Sequence, residues 1–180
     1  MIYYKVTSGL ALELCMDFCR RRREAFARID EVCRKYGATP GRTQSCGSKV
    51  EGLHFGATLM TPKGWTKSRM GKGYFVPSRK TKPGQVIAAD IDALSIPSTE
   101  KLARDLGCKP FFMDFDEGQT YCANIGVMEH DGVCYLEAHK WCPPDQTRFS
   151  GIVQIQASEW HAADEAREAA RVKAAAEATT

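Results

Sequence analysis

The chain has 180 residues, of which 43% are hydrophobic and 26% charged, and its formal net charge is +3. These proportions are ordinary for a globular protein and exclude a chain that is disordered throughout. No apolar run reaches the roughly 18 residues that a membrane-spanning helix needs, and no secretory signal opens the chain, so we expect a cytoplasmic protein with no membrane partner. The length favours a single domain over residues 1–160, followed by a helical tail over 161–180 that frays toward its end.

Charge is unevenly distributed along the chain. Residues 37–89 carry nine basic and one acidic side chain, whereas residues 90–180 carry eight basic and sixteen acidic ones. Such an excess of positive charge can steer an anionic partner to one face of a protein. The two segments can equally attract each other within the fold, and the sequence leaves both interpretations open.

The N-terminal elements are a short strand and a long helix. Alternating side chains predict a strand over Ile2–Val6. Apolar residues then recur with helical spacing over Gly9–Tyr36, and Gly37 is a typical helix stop. Within this helix we interpret Arg20–Arg23 as a solvated face paired with nearby acidic residues rather than as a partner site. Three side chains of the helix are candidates for the face of a homodimer: Leu12, Cys19 and Phe26.

The middle of the chain predicts short elements between loops. Alternation predicts a strand over 53–60, and residues 61–85 contain seven glycines and prolines, which favours loops or short strands over helix. A short helix is predicted over 86–94, and a second helix begins at Ser98 or Thr99 and ends at Gly107.

The C-terminal part predicts strands, a hairpin and a closing helix. The expected strands are Phe111–Phe115, Thr120–Glu129, Val133–His139 and Ile152–Ile155, and the helix begins near Ser158. Asp131-Gly132 between two alternating runs is a strong hairpin signal. Together the elements predict an α+β fold, namely an antiparallel sheet with a long N-terminal helix and a C-terminal Ala-rich helix.

The segment 63–82 is the main candidate for a binding surface. It holds seven basic residues and no acidic residue, interleaved with aromatic rings. Cations neutralise phosphates and flat rings stack on unpaired bases, a combination suited to single-stranded nucleic acid. Alternatively, the rings fill the core and the charges are solvated. Arginine and aromatic side chains are also the usual anchors of protein interfaces. The candidate contact residues are Lys63, Trp65, Lys67, Arg69, Lys72, Tyr74, Arg79 and Lys80.

Signals for catalysis and metal binding are weaker. The eight cysteines include no C-x-x-C pair, and we expect mostly buried, reduced thiols and neither metal nor cofactor. Carboxylates such as Asp90 and Asp92 could hold Mg²⁺ in a small metal-assisted enzyme, but that spacing is also ordinary turn chemistry. The chain contains neither a phosphate-binding loop motif nor a hydrolase elbow, and we predict no catalytic residue. A zinc site is not favoured for the set His130, Cys134, His139 and Cys142. A Mg²⁺ site is likewise not favoured for the set Asp114, Asp116 and Glu117.

Several short motifs carry a family resemblance. They are Met1–Thr7, the Arg-rich helix ending in Tyr36-Gly37-Ala38, Pro62–Lys67, Val76–Lys80 with Pro83-Gly84, and Asp116–Thr120. Over most of residues 1–140 they resemble small phage and prophage accessory proteins of uncharacterised function. The resemblance implies a product of phage early or accessory genes in a bacterial host cell. Such products often bind and block host defence or replication machinery.

We therefore expect a protein that binds a host protein or nucleoprotein stoichiometrically and without turnover, such as a defence complex of the CRISPR type. The alternatives are direct nucleic-acid binding through the 63–82 segment and a small metal-assisted enzyme. Salt dependence distinguishes the first two hypotheses, because each phosphate that a protein neutralises releases a counterion.

Overall fold

The computed structural model describes residues 1–39, 49–56, 60–69, 71–109, 111–112, 120–121 and 125–177. Within these residues the chain has the predicted α+β fold, with helices packed on antiparallel sheets. In chain order the elements are β1 (Ile2–Val6), α1 (Gly9–Tyr36), β2 (Leu53–His54), β3 (Trp65–Lys67), β4 (Tyr74–Pro77), α2 (Lys82–Asp92), α3 (Thr99–Asp105), β5 (Phe111–Phe112), β6 (Thr120–Tyr121), β7 (Ile125–His130), β8 (Val133–Ala138), β9 (Ile152–Ile155) and α4 (Ala157–Glu177). None of the helices in this part of the chain is both long and apolar enough to cross a membrane.

The α-carbon contacts group the chain into two compact units. The first comprises residues 1–20 and 99–180, and the second comprises residues 21–98. The first unit carries 10 basic and 16 acidic residues, a formal charge of −6, and the second carries 15 basic and 6 acidic residues, a formal charge of +9. The single domain expected over 1–160 stays a prediction.

The first unit is built on a four-stranded antiparallel sheet in the order β7-β8-β1-β9. One face packs on the start of α1 and on α3, in a core that includes Tyr4, Cys15 and Leu136. On the other face Met128 and Tyr135 pack with Ala163 of α4. Helices therefore pack on both faces of this sheet, and the larger core lies on the side of α1 and α3.

The predicted hairpin in this sheet is confirmed. Asp131 and Gly132 join β7 to β8 with positive φ angles of 49° and 75°. Two successive residues with positive φ form the type I′ turn, whose twist matches that of the flanking strands. The turn sets the register, which runs from His130 opposite Val133 to Ile125 opposite Ala138.

The described thiols lie inside the cores of the two units. Among the described residues Cys15, Cys19, Cys33, Cys108, Cys134 and Cys142 are free and buried, while Cys46 and Cys122 lie outside those residues. Hydrogen bonding to Cys15, together with burial, raises the pKa of the Cys134 thiol to about 12. Burial likewise raises the pKa of Cys108 to about 12. These thiols are protonated and behave as small apolar side chains.

The second unit packs a small antiparallel sheet, in the order β2-β4-β3, on helices. Its core joins this sheet to α2 and to the part of α1 that follows Arg20. The fully packed side chains are Ile29, Cys33, Val50, Leu53, Trp65, Phe75, Ile87, Ile91, Leu94 and Ile96. The inner face of the sheet is therefore buried in this unit.

Some predicted boundaries differ from the structure. Helix α2 begins at Lys82 instead of residue 86, because the Thr81 hydroxyl accepts a hydrogen bond from the Gly84 N–H at 3.2 Å and Pro83 occupies the first turn. The strand predicted over 53–60 is reduced to the two residues of β2, and residues 57–59 lie outside the described part. The strands predicted over 111–115 and 120–129 also include residues outside it, namely 113–119 and 122–124.

Candidate functional site

The sheet of the second unit has one buried and one accessible face. Strand pairing places Leu53 opposite Phe75, and these inner side chains are 0% and 2% exposed. The next pair, His54 opposite Tyr74, lies on the other face and is half-buried. Successive residues of a strand alternate between faces, so Val76 belongs with Tyr74. We call His54, Thr66, Tyr74 and Val76 the outer face.

Two aromatic rings lie side by side on the outer face. The His54 and Tyr74 ring centroids are 4.7 Å apart, with 52° between the ring planes. The Gly56 N–H donates to His54 Nδ1 at 3.4 Å, and Thr39 Oγ1 lies 3.3 Å from the same nitrogen. A Cβ on Gly73, whose φ is +81°, would lie 2.7 Å from His54 Nε2 and 2.1 Å from the Gly56 oxygen. Glycine at position 73 therefore allows the His54 ring to lie where it does.

Three cations lie in or beside the turn that leads into Tyr74. Lys67 ends β3, and Arg69 and Lys72 lie in the turn from β3 to β4; all three are exposed. The backbone N–H of Ser68 donates a hydrogen bond to the backbone carbonyl oxygen of Tyr74 at 2.9 Å, which holds this turn against the start of β4. Within the described part of the chain, none of the three cations has an ion-pair or hydrogen-bond partner.

The other predicted cations are of two kinds. Lys63 and Lys80 are exposed, and neither has an ionic partner among the described residues. Arg79 is engaged, because its two terminal nitrogens donate to the Asp92 carboxylate at 2.9 and 2.7 Å. This bidentate contact raises the pKa of Arg79 and lowers the pKa of Asp92. The positive charge of Arg79 is thus partly neutralised within the protein.

Trp65 lies in the core rather than on the surface. Its side chain is 5% exposed, and its ring packs edge-on against Tyr36 at 5.6 Å and Phe55 at 4.9 Å between centroids. Core packing of the rings therefore applies to Trp65 and to Phe75, while Tyr74 remains partly exposed. Trp65 supports the sheet from within and does not present its indole to a partner.

His54 is the residue that sequence reasoning missed. The alternation of apolar and polar residues from Leu53 onward already placed His54 on the polar face of its strand. The contact with Tyr74 depends on the pairing of β2 with β4, which joins residues 20 positions apart. No local pattern in the sequence indicates that pairing.

A cleft of about 250 Å³ lies in the same unit, between α1 and residues 93–97. Its apolar lining includes Ala25, Leu94 and Ile96, and its charged lining includes Arg21 and Arg28. Glu24 also lines the cleft and reduces its positive charge. The cleft is therefore a less basic feature than the turn that bears Arg69.

The carboxylates considered for Mg²⁺ are held in ion pairs. Asp90 accepts hydrogen bonds from Lys35 Nζ at 2.6 Å and from the Tyr36 hydroxyl. These bonds, with Lys35 the larger cause, lower the pKa of Asp90. Asp92 is the partner of Arg79. The remaining acidic candidates lie outside the described residues: Asp114, Asp116 and Glu117.

The residues considered for zinc each contact different neighbours. Cys134 and Cys142 are in the core of the first unit, while His130 Nε2 lies 3.4 Å from the Asp131 carboxylate. His139 Nδ1 accepts the Trp141 N–H at 3.4 Å. Over the part of the chain that the structure describes, no three His, Cys, Asp or Glu side chains are arranged to hold a metal ion.

The predicted dimer face is divided between the cores of the two units. Leu12 and Cys19 pack in the core of the first unit, and Phe26 packs against that of the second. A homodimer through these residues stays a prediction. In the arginine run, Arg20 pairs with Asp17 at 2.5 Å and Arg22 lies over the Phe26 ring at 5.4 Å.

Comparison with known proteins identifies one family. Residues 1–173 match the family model described as bacteriophage Mu gene product 12. No curated protein and no solved structure matches the chain. The match confirms the predicted likeness to phage proteins and extends over nearly the whole sequence. The chain therefore belongs to the bacteriophage Mu gene product 12 family and is a phage accessory protein.

Proposed function

We propose that this accessory protein binds an anionic surface of a host protein or nucleoprotein complex, stoichiometrically and without turnover. The contact is made through the basic surface of the second unit, which consists of Lys63, Lys67, Arg69, Lys72 and Lys80. Host defence complexes, of which CRISPR effectors are one type, and replication complexes are the target class, since both expose nucleic acid or acidic protein surfaces.

The unpaired cations carry this proposal. Lys67, Arg69 and Lys72 are exposed and have no acidic partner within the described residues. The segment 63–82 contains no acidic residue at all. Cations whose charge is not neutralised inside the protein raise the local potential and speed the association of an anionic partner.

The side chains of the basic surface favour binding over catalysis. The exposed groups of this surface are ammonium and guanidinium groups, which supply positive charge and hydrogen-bond donors to an anionic partner. The nearby carboxylates, Asp90 and Asp92, already accept hydrogen bonds from cations of the same unit. Asp90 and Asp92 are thus paired with Lys35 and Arg79, and the exposed cations of the basic surface remain available to a partner.

A pull-down from a defence-carrying bacterial lysate tests the proposal. The tagged protein is compared with a triple variant, Lys67→Glu, Arg69→Glu and Lys72→Glu, each with and without nuclease. The matched control is a second triple variant in the first unit, with the same change in net charge: Lys109→Glu, Lys140→Glu and Lys173→Glu.

We expect the wild type and the control variant to recover one stoichiometric host complex and the first triple variant to lose it. Survival of the complex after nuclease treatment identifies a host protein, and loss after nuclease treatment identifies a nucleoprotein held through its nucleic acid. Equal recovery by both triple variants, with both shown to be folded by circular dichroism, would refute the proposed surface.

A further inference from the structure

We infer that the outer face of the β2-β4-β3 sheet is a stacking site for an unpaired base of a single-stranded nucleic acid, whose phosphates contact the neighbouring cations. This inference rests on the proposed function and names the chemistry of the partner. Its residues are His54 and Tyr74 for the base, and Arg69 and Lys72 for the phosphates.

The ring pair has the form that base stacking requires. His54 and Tyr74 are half-buried, so part of each ring is accessible while the remainder is held by the sheet. Their centroids are 4.7 Å apart and their planes are inclined by 52°, so a base that stacks on one ring meets the edge of the other. Every base has a π-face, so stacking on these rings is tolerant of sequence. Bases inside a duplex are already stacked, and this favours a single strand.

The rings are also held in position before a ligand arrives. His54 Nδ1 accepts a hydrogen bond from the Gly56 N–H. Gly73 has no side chain, so its backbone can lie close to the His54 ring. Tyr74 is the first residue of β4 and pairs with His54 across the strands. A site that is already ordered spends less binding energy on fixing its side chains.

Two of the cations lie in the turn that leads into Tyr74. Lys67 is opposite Phe75 and therefore lies on the inner side of the sheet, so the phosphate contacts fall to Arg69 and Lys72. Arg69 and Lys72 lie in the turn that the Ser68 hydrogen bond ties to Tyr74. The combination of a positively charged border and stacking rings is how proteins hold single strands without reading their sequence.

A protein partner fits the outer face less well. Apart from its two rings, this face presents Thr66 and a half-buried Val76, and it has no large exposed aliphatic side chain to fill a pocket in a partner. Protein interfaces usually bury such anchors at their centre. The test must therefore distinguish binding of nucleic acid at this face from binding of a protein.

Fluorescence anisotropy tests the inference with the full-length protein. The probes are a labelled oligothymidylate of about 20 nucleotides, longer than a single site covers, and a labelled duplex of the same length. The variants are Tyr74→Ala, Tyr74→Phe and His54→Ala, and Trp141→Ala in the first unit is the control because that ring is exposed but lies outside the outer face.

We expect Tyr74→Ala to weaken single-strand binding by about 5- to 150-fold, the effect of removing one base-stacking ring. Tyr74→Phe keeps the ring and should change the affinity less than about 3-fold, as should Trp141→Ala. With two phosphates neutralised, the logarithm of the binding constant should fall with the logarithm of salt with a slope of about −1.4.

Three results would overturn the inference: wild-type affinity in Tyr74→Ala and His54→Ala, or in the one of them that folds; tighter binding of the duplex than of the single strand; or no binding of either probe by the wild type. The third result, together with a nuclease-resistant host complex in the pull-down, would remove the stacking site and leave the proposed function intact. Two variants that each remove one ring keep the test decisive if one of them fails to fold.

Discussion

Replacing Trp65 with alanine separates a structural role of the basic segment from a contact role. The Trp65 ring lies in the core of the second unit, edge-on to Tyr36 and Phe55. Trp141 provides a matched control, since it is the same residue type but is 60% exposed, against 5% for Trp65. We expect Trp65→Ala to destabilise the fold and Trp141→Ala to leave the stability nearly unchanged.

The expected cost follows from the burial of Trp65. A buried tryptophan removes about 200 Å² from water, which at about 25 cal/mol per Å² is an upper value of about 5 kcal/mol. Two edge-on ring contacts add about 0.5–1.5 kcal/mol each, and relaxation around the cavity recovers part of the loss. We therefore expect Trp65→Ala to lower the free energy of unfolding by about 3–5 kcal/mol, a large part of the 5–15 kcal/mol typical of a domain.

Urea unfolding followed by far-UV circular dichroism measures this difference without using tryptophan fluorescence. With a slope of about 2 kcal/mol per M, the midpoint should fall by about 2 M for Trp65→Ala. The midpoint of Trp141→Ala should correspond to a change below about 0.5 kcal/mol. Equal midpoints for the two variants would refute the placement of Trp65 in the core.

Three further predictions concern the fold. Gly73→Ala should lower the free energy of unfolding, measured with urea, by more than about 1 kcal/mol relative to Gly71→Ala. Both positions have a positive φ, but a Cβ would lie 2.1 Å from a backbone oxygen only at position 73. Similar losses in both would contradict the close approach. In a variant with Cys46→Ala and Cys122→Ala, a thiol reagent should label the remaining thiols only in denaturant, because those six are buried and free; rapid labelling without denaturant would refute this. Asp90→Asn should be less stable than the wild type near neutral pH, and the difference should shrink as the pH falls through the folded-state pKa of Asp90, which its partners hold below its ordinary value. The sign follows because a lowered carboxyl pKa stabilises the fold only while the group is ionised, and a difference that grows in acid would contradict it.

Composition and local patterns indicated which segment of the chain is a candidate for binding, and that role stays a prediction. The run of cations and rings over 63–82 is visible without a structure, and seven of its eight named residues have exposed or half-buried side chains. Two of the eight, Trp65 and Arg79, have partners within the unit that the pattern does not show. Trp65 packs on rings from α1 and from the end of β2, and Arg79 pairs with Asp92 of α2.

The sequence by itself determined the elements whose signals are local. The helix α1 follows from apolar residues at helical spacing with Gly37 at its end, and the β7-β8 hairpin follows from Asp131-Gly132 between alternating strands. Each of these signals lies within a few residues along the chain, where backbone preference and side-chain periodicity act directly.

Only the tertiary structure decided which helices bury the inner face of the second sheet and which side chains meet on the other face. Alternation from Leu53 onward separates an apolar from a polar side of β2, but strands β2, β3 and β4 have two to four residues, too few to show how they pair. The arrangement comes from α1 and α2, which bury Leu53 and Phe75, and from the pairing of β2 with β4, which brings His54 to Tyr74. These contacts join residues far apart in sequence, and burial is a property of the surroundings rather than of the residue, so no local pattern carries them.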